Sequence, residues 1–189
     1  MSSDPKLTPF SYAVLVLVGE GGAGPHDIVR MMRRGRIYWA ASESQWYAEP
    51  KRLERLGYLR SRKEPGRTRP RTHYELTDSG RAALRAWATT PAAFPRIQNE
   101  PIVRVLAADL VGAERALQGL RGLRSEIDEI DASLGVAEGI AGGLPHRERA
   151  LRLNHRLARR ILEAHREWLD EVERELGARD AGGGDGRAG

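Results

Sequence analysis

The chain has no cysteine. Disulfides and thiolate metal sites are therefore excluded, and the composition suits a reducing compartment. Long apolar runs are missing as well. The most apolar stretch, residues 13–18, is six residues long, where a bilayer span needs about 18 or more. The first residues, Met1-Ser2-Ser3-Asp4-Pro5-Lys6, lack the basic-then-apolar pattern of a secretory leader. A cytoplasmic protein without a membrane partner is expected. Catalytic signatures are equally scarce. His26, His73, His146, His155 and His165 show no metal-ligand spacing, and neither Ser79-Gly80 nor Gly21-Gly22-Ala23-Gly24 matches a nucleophile elbow or a phosphate loop. No enzyme activity, no metal and no cofactor are expected. Lysine is rare, 3 residues against 28 arginines; this bias explains which cation is used, not where it gathers.

Where the cations gather is informative. Net charge is +5 over 189 residues, but residues 1–98 hold 17 Lys+Arg against 9 Asp+Glu, and the remainder holds 14 against 17. Residues 51–71 alone carry nine basic and two acidic side chains. A basic first half and a slightly acidic second half point to different partners for each. With 40% hydrophobic residues, the chain can bury one ordinary core or two small ones.

Residues 42–76 organise the first half. Ser42-Glu43-Ser44-Gln45 is a capping-box helix start, in which Gln45 reaches back to the Ser42 N–H. Trp46, Leu53 and Leu56 recur at helical spacing, and Gly57 supplies a left-handed stop. Residues 58–62 and 72–76 then read as two short strands around a turn-rich, basic loop containing Pro65, Gly66 and Pro70. Upstream, Thr8-Pro9 starts a helix that ends at Gly19, and Pro25 starts a second running to about Arg34. Thr77 caps a further helix, from Asp78 to about Ala88, with Leu84 and Trp87 on one side. Three helices, a hairpin and a closing helix make a winged helix-turn-helix over residues 7–90, which is a DNA reader's layout.

Residues 91–100 are proline-rich and aperiodic, and read as a linker. Pro101 starts a short helix with Ile102, Val105, Leu106 and Leu110 on its apolar face. One helix of about 40 Å is expected over residues 113–138, with a heptad seam of Leu120, Leu123, Ile127, Ile130, Leu134 and Ala137. After Gly142-Gly143-Leu144-Pro145 a second helix runs to Leu176, with a stripe of Leu153, Leu157, Ile161, Trp168, Val172 and Leu176, and Leu169 and His165 beside it. Two such helices can form an internal hairpin, yet each seam exceeds what one partner helix covers. Residues 101–176 are therefore expected to be a helical dimerisation domain using Leu120, Leu123, Ile127, Ile130, Leu134, Leu157, Ile161, Trp168 and Val172. Residues 177–189 bury nothing and are expected to be disordered. The fold class is mostly α: an α+β winged helix-turn-helix with a C-terminal coiled-coil dimerisation domain.

The run Tyr47-Ala48-Glu49-Pro50-Lys51-Arg52-Leu53-Glu54-Arg55-Leu56-Gly57-Tyr58-Leu59 resembles the Tyr-x-x-Leu-x-x-Leu-Glu-x-x-Gly signature of the PadR-type transcriptional regulators. Tyr74-Glu75-Leu76-Thr77-Asp78-Ser79-Gly80 follows at the spacing of that family's strand-to-helix step. The resemblance covers roughly residues 7–90; beyond that, only length and helix pattern resemble the family's longer C-terminal domain. Two positions depart from it. Pro25-His26-Asp27-Ile28 stands where the family often has Gly-Tyr-Asp/Glu-Ile, and Pro50 replaces the first signature Leu. Pro50 removes a helix bond to the Trp46 carbonyl and is expected to bend the axis. The resemblance implies a regulator that commonly senses a small molecule or works with a partner. Phe10, Tyr12, Trp87 and Trp168 are candidates to line an effector cavity, although each also fits an ordinary core.

Opposite the buried Trp46, Pro50 and Leu53, helical spacing places Ser44, Gln45, Tyr47, Ala48, Lys51, Arg52 and Arg55. Ser44, Gln45 and Ala48, near the N-terminus, suit base readout. Tyr47, Lys51 and Arg55 suit phosphates, which position the protein without reading sequence. Arg67, Thr68, Arg69 and Arg71 on the wing are expected to lie along the backbone or enter a minor groove. The expected function is a sequence-specific, double-stranded-DNA-binding regulator, a homodimeric repressor released by a small-molecule effector. The alternatives are a protein-interaction module whose winged half binds DNA only incidentally, and a sequence-blind architectural protein.

Overall fold

The structure, a computed structural model, describes residues 7–39, 41–65, 70–95 and 97–182, with side chains as far as residue 178. It divides into two compact units, Met1–Ala93 and Phe94–Gly189. Among the described residues no helix is long and apolar enough to cross a membrane.

In the first unit, α1 (Pro9–Val18) begins where Thr8 and Pro9 predict. The Thr8 hydroxyl accepts the Ser11 N–H at 3.2 Å, and the Ser11 hydroxyl accepts the Thr8 N–H at 3.0 Å. α2 spans Pro25–Arg34 and α3 spans Glu43–Arg55. Gln45 Oε1 accepts the Ser42 N–H at 2.9 Å, as a capping box requires. α3 passes through Pro50 as one unbroken helix, and the ring fills a buried position between Trp46 and Leu53. Val14, Leu15, Ile28, Met32, Trp46, Leu53, Leu59 and Tyr74 share one core. Each fully buried large apolar side chain contributes about 1.5–3 kcal/mol to holding the three helices and the hairpin together.

β1 (Leu59–Glu64) and β2 (Arg71–Leu76) pair antiparallel, from Leu59↔Leu76 to Glu64↔Arg71. The first strand starts one residue later than expected because the Tyr58 N–H is spent on the Leu53 carbonyl, 2.9 Å away. It runs on to Glu64, where Lys63 Nζ donates to Thr72 Oγ1 at 3.0 Å. Ala23 exchanges two backbone bonds with Tyr74 and ties the α1–α2 connection to the hairpin. The hairpin base is tightly specified. Gly57 has φ of 79°, a region open to glycine at little cost. Thr77 Oγ1 donates to the Gly57 carbonyl at 2.6 Å and accepts the Gly80 N–H at 3.1 Å, starting α4 (Asp78–Ala88). A Cβ on Gly80 would lie 2.2 Å from the Tyr58 carbonyl oxygen. Trp87 of α4 stacks on Tyr12 of α1, ring centroids 4.6 Å apart and 8° from parallel.

The second unit holds α5 (Glu100–Leu106), α6 (Ala108–Val111), α7 (Ala113–Gln118), α8 (Leu123–Ala141) and α9 (Glu148–Gly182). The single helix expected over residues 113–138 is in fact two, α7 and α8. Gly119 and Gly122 each weaken a helix by about 1 kcal/mol relative to alanine, and a Cβ at Gly119 would meet Arg104 Nη1 of α5 at 2.8 Å. α9 continues six residues past the expected end at Leu176; residues 183–189 of the tail lie outside the described residues.

α8 and α9 run antiparallel. Arg124 pairs with Asp170 and with Glu173 (3.0 Å), Arg166 with Asp128 (3.0 Å), and Arg159 with Asp131 and Glu138 (2.7 Å each). Leu120, Ile127, Leu134 and Ala141, seven residues apart, are buried with Ala158, Leu162, Leu169 and Val172 of α9. Four residues expected at a dimer seam, Leu120, Ile127, Leu134 and Val172, are thus buried within a single chain, with Leu123 and Ile130 half-buried beside them. Between Leu157 and Leu169 of α9 the internal seam lies one residue beyond the expected stripe, and the two coincide at Val172. Apolar residues there come in adjacent pairs, Leu157-Ala158, Ile161-Leu162 and Trp168-Leu169, so the helix has a broad apolar face. The second member of each pair is covered; Leu153 and Leu157 remain 53% exposed, and Ile161 and Trp168 half-exposed. His165 is held by the Ile161 carbonyl at 2.7 Å and Asn99 Nδ2 at 3.3 Å.

Gly80→Ala is expected to lower the stability of the winged unit by about 1–3 kcal/mol, the usual cost of overpacking, as read by urea unfolding. An unchanged midpoint would show that the hairpin base yields more easily than its geometry implies.

Candidate nucleic-acid interface

α3 has two faces with different work. Trp46, Pro50 and Leu53 point into the core, whereas Ser44, Gln45, Ala48, Lys51 and Arg55 are exposed and Tyr47 is half-buried. One solvent face of a 13-residue helix therefore carries amide, hydroxyl, methyl and two cationic groups. These are the donor, acceptor and apolar groups that base edges and phosphates call for.

The structure places Arg52 apart from them. Its Nε and Nη2 donate to the two carboxylate oxygens of Glu49 at 2.9 and 3.1 Å, and Nη2 also reaches Ser11 Oγ at 3.1 Å. Ser11, fully buried on α1, donates to Glu49 Oε1 at 2.6 Å. Arg52 thus belongs to an inward clamp between α3 and α1. Helical spacing alone could not reveal this, since positions 51, 52 and 55 all flank the outer face. Ser11, at position 3 of an otherwise apolar helix, was the available clue. A cleft of about 670 Å³ lies over this clamp, walled by Phe10 and Trp39 and bordered by Gln45 and Ala48.

At the hairpin, Arg60, Arg62, Lys63 and Arg71 are exposed. Two of these cations are already engaged. Glu75 accepts from Arg62 Nε at 2.6 Å and Arg60 Nε at 3.0 Å, and Arg62 also meets Glu64 at 2.6 Å. Hydrogen bonds from Arg62 and then Arg60 hold the Glu75 carboxyl below its ordinary range. Glu54, at the end of α3, accepts the Ser61 N–H at 3.1 Å and its hydroxyl at 2.5 Å, which couples the helix to β1. Arg67, Thr68 and Arg69 lie outside the described residues. One residue of this surface escaped the sequence reading. His26, in the first turn of α2, has Nδ1 3.1 Å from Tyr47 Oη; its only signal was its place where the resembling family often has tyrosine.

Two outcomes follow from these contacts. Arg52→Gln is expected to cost about 1–2 kcal/mol in unfolding free energy, because it leaves a mostly buried Glu49 short of a charged partner; an unaltered stability would return Arg52 to the outer face. Glu75, with its folded pKa lowered, stabilises the hairpin fully above the ordinary glutamate range, and this contribution is lost as pH falls through the depressed value. An NMR titration should find the Glu75 carboxylate midpoint below that of a free glutamate, and raised towards it by Arg62→Ala, with Arg60 still paired; a normal midpoint in the parent protein would contradict the pairing.

Residues 14–86 match the Transcriptional regulator PadR-like family. No curated protein matches the sequence. Among solved structures, the chain is similar to the Vibrio cholerae virulence activator AphA, with 25% identity, a TM-score of 0.69, and coverage of 89% of this chain and 98% of that one. It is similar in fold to Bacillus subtilis PadR in complex with operator DNA (21% identity, TM-score 0.67, covering 90% and 99%). A second structure of that protein, in complex with p-coumaric acid, gives 20% identity and a TM-score of 0.59 over 93% and 99% of the chains. Helix, wing and sequence agree over the matched segment: residues 14–86 form a winged helix-turn-helix domain of the PadR-like family of transcriptional regulators.

Proposed function

We propose that this protein is a homodimeric, sequence-specific double-stranded-DNA-binding regulator that represses from its site and is released by a small-molecule effector. The observation that carries the DNA-binding part is the two-faced α3. Its inner face is fixed by the core and the Ser11–Glu49–Arg52 clamp, and its outer face offers Ser44, Gln45, Ala48, Lys51 and Arg55. A helix held on one side enters the major groove with the other. Ser44, Gln45 and Ala48 read base edges, while Tyr47, Lys51 and Arg55 hold phosphates. Arg67, Thr68, Arg69 and Arg71 of the wing follow the backbone. The operator complex of the Bacillus subtilis protein supports this reading through its shared fold, and its p-coumaric acid complex supports an effector.

The homodimer is supported by apolar surface the chain leaves uncovered: Leu153 and Leu157 on α9, and Ile102, Leu106 and Leu110 on α5 and α6, the last three 46–84% exposed. A two-fold dimer calls for an inverted repeat with half-sites about one helical turn apart. The same surface would also serve a protein-interaction module. Such a module would yield a stoichiometric partner in a pull-down and no preference among DNA sequences.

Changing Arg67 and Arg69 together to alanine should weaken binding to all duplexes alike and lower the salt slope by about one per lost phosphate contact; an unchanged slope sinks the wing assignment. Gln45→Ala should alter the preferred base at one position of a selected site, and an unchanged preference would mean that the wrong face of α3 has been assigned. Leu157→Glu, at an exposed position, should turn the dimer into a folded monomer by sedimentation equilibrium, whereas a persisting dimer moves the interface elsewhere.

A further inference from the structure

α2 opens with Gly24-Pro25-His26-Asp27, and the N-cap glycine offers no side-chain acceptor. In the helix-turn-helix pair, α2 is the helix that crosses the sugar-phosphate backbone while α3 lies in the groove. His26 is exposed at the start of α2, and its ring stands edge-on to Tyr47 of α3, with centroids 5.8 Å apart, interplanar angle 80° and Nδ1 3.1 Å from the Tyr47 hydroxyl. Two polar rings from the two helices therefore meet on the surface at which a DNA backbone would arrive.

We propose that His26 and Tyr47 form one binding site for a backbone phosphodiester of DNA, and that filling it takes up a proton from solvent. The inference rests on the DNA-binding reading above. With neutral His26, the Tyr47 O–H donates to Nδ1, the ring proton sits on Nε2, and the pair offers a phosphate one donor. When the imidazole gains a proton, Nδ1–H donates to the Tyr47 oxygen instead. The hydroxyl hydrogen is then free to turn outward, so that Nε2–H and Tyr47 O–H can both donate to phosphate oxygens. The ring also carries a charge opposite to that of the ligand. A bound phosphate thus favours the protonated pair, and binding strengthens as pH falls through the histidine range.

The surrounding charges leave this device intact. On α2, Asp27 is held by Arg30. On α3, Glu43 is held by Arg33, and Lys51 is exposed one turn beyond Tyr47. α1 brings a single ionisable group, Tyr12, which is stacked on Trp87. On β2, His73 lies 3.2 Å from the Gly21 carbonyl and 3.5 Å from Glu64, Glu75 is held by Arg60 and Arg62, Tyr74 is buried, and Arg71 is exposed at the strand start.

The test uses the full chain and a mixed-sequence duplex at low salt, since a phosphate contact does not depend on sequence. Affinity is read by fluorescence anisotropy between about pH 6 and pH 8 for the parent protein, His26→Gln, Tyr47→Phe and the double variant. Because the chain holds four other histidines, the readout is the difference between parent and variant. The parent should bind more tightly at the acid end. His26→Gln should remove roughly tenfold of that gain, the worth of one hydrogen bond to a charged group. Tyr47→Phe should remove part of the same gain, and the double variant should show no more pH dependence than His26→Gln. The His26 imidazole signal should also titrate at higher pH with duplex present than without. If the parent binds but His26→Gln retains both its affinity and its pH slope, the phosphate site is wrong and the DNA-binding reading stands. If the parent binds no duplex at low salt, both fall.

Discussion

The arrangement depends on α3 being held from behind. A recognition helix must present its outer side chains at a fixed height and angle, and a helix of 13 residues has little stability of its own in water. Here Trp46, Pro50 and Leu53 anchor it in the core. Glu49 and Arg52, on the flank, reach Ser11 of α1 through charge-assisted bonds. The Ser11 hydroxyl both caps α1 and donates to Glu49, so the start of one helix and the middle of another are fixed by a single buried oxygen. Pro50 fits the same logic. It gives up one helix bond, and its ring occupies a core position where burial offsets part of that loss.

The far end of α3 is coupled to the hairpin with equal economy. Gly57 turns the chain, Thr77 bridges from the Gly57 carbonyl to the Gly80 N–H, and Gly80 admits the Tyr58 carbonyl at a distance no side chain would allow. Glu54 then ties α3 to Ser61 of β1. Helix and wing consequently share one base. Arg60 and Arg62 help to build that base, being held by Glu75. In the proposed complex, the cations left to face DNA are those on α3 and towards the wing tip.

Much of the first unit was legible from local chemistry. Thr8-Pro9, Gly24-Pro25, Ser42 with Gln45, and Thr77 each start a helix within a residue of the expected place, because caps act over three or four positions and leave a sequence trace. What could not be read was direction. Arg52 turns inward because of Ser11, 41 positions away, and His26 meets Tyr47 across 21 positions; no periodicity records such pairings. In the second unit the heptad pattern gave the hairpin's helices but not which stripe is internal. The adjacent apolar pairs on α9 allow either register, and it is Ala158 and Leu162 that are buried, while Leu157 is exposed and Ile161 half-exposed. The break between α7 and α8 was visible only as two glycines, whose cost is small enough for tertiary contacts to decide the outcome.

In the proposed complex, α3 and the wing together read a defined duplex. Footprinting of the full chain on the DNA upstream of its own coding sequence, across a salt series and with a scrambled competitor, tests it most directly. The expected result is a protected inverted repeat that survives excess competitor and fades steeply as salt rises. Protection that spreads evenly over the fragment and is removed by the scrambled DNA, or no protection at low salt, would contradict it.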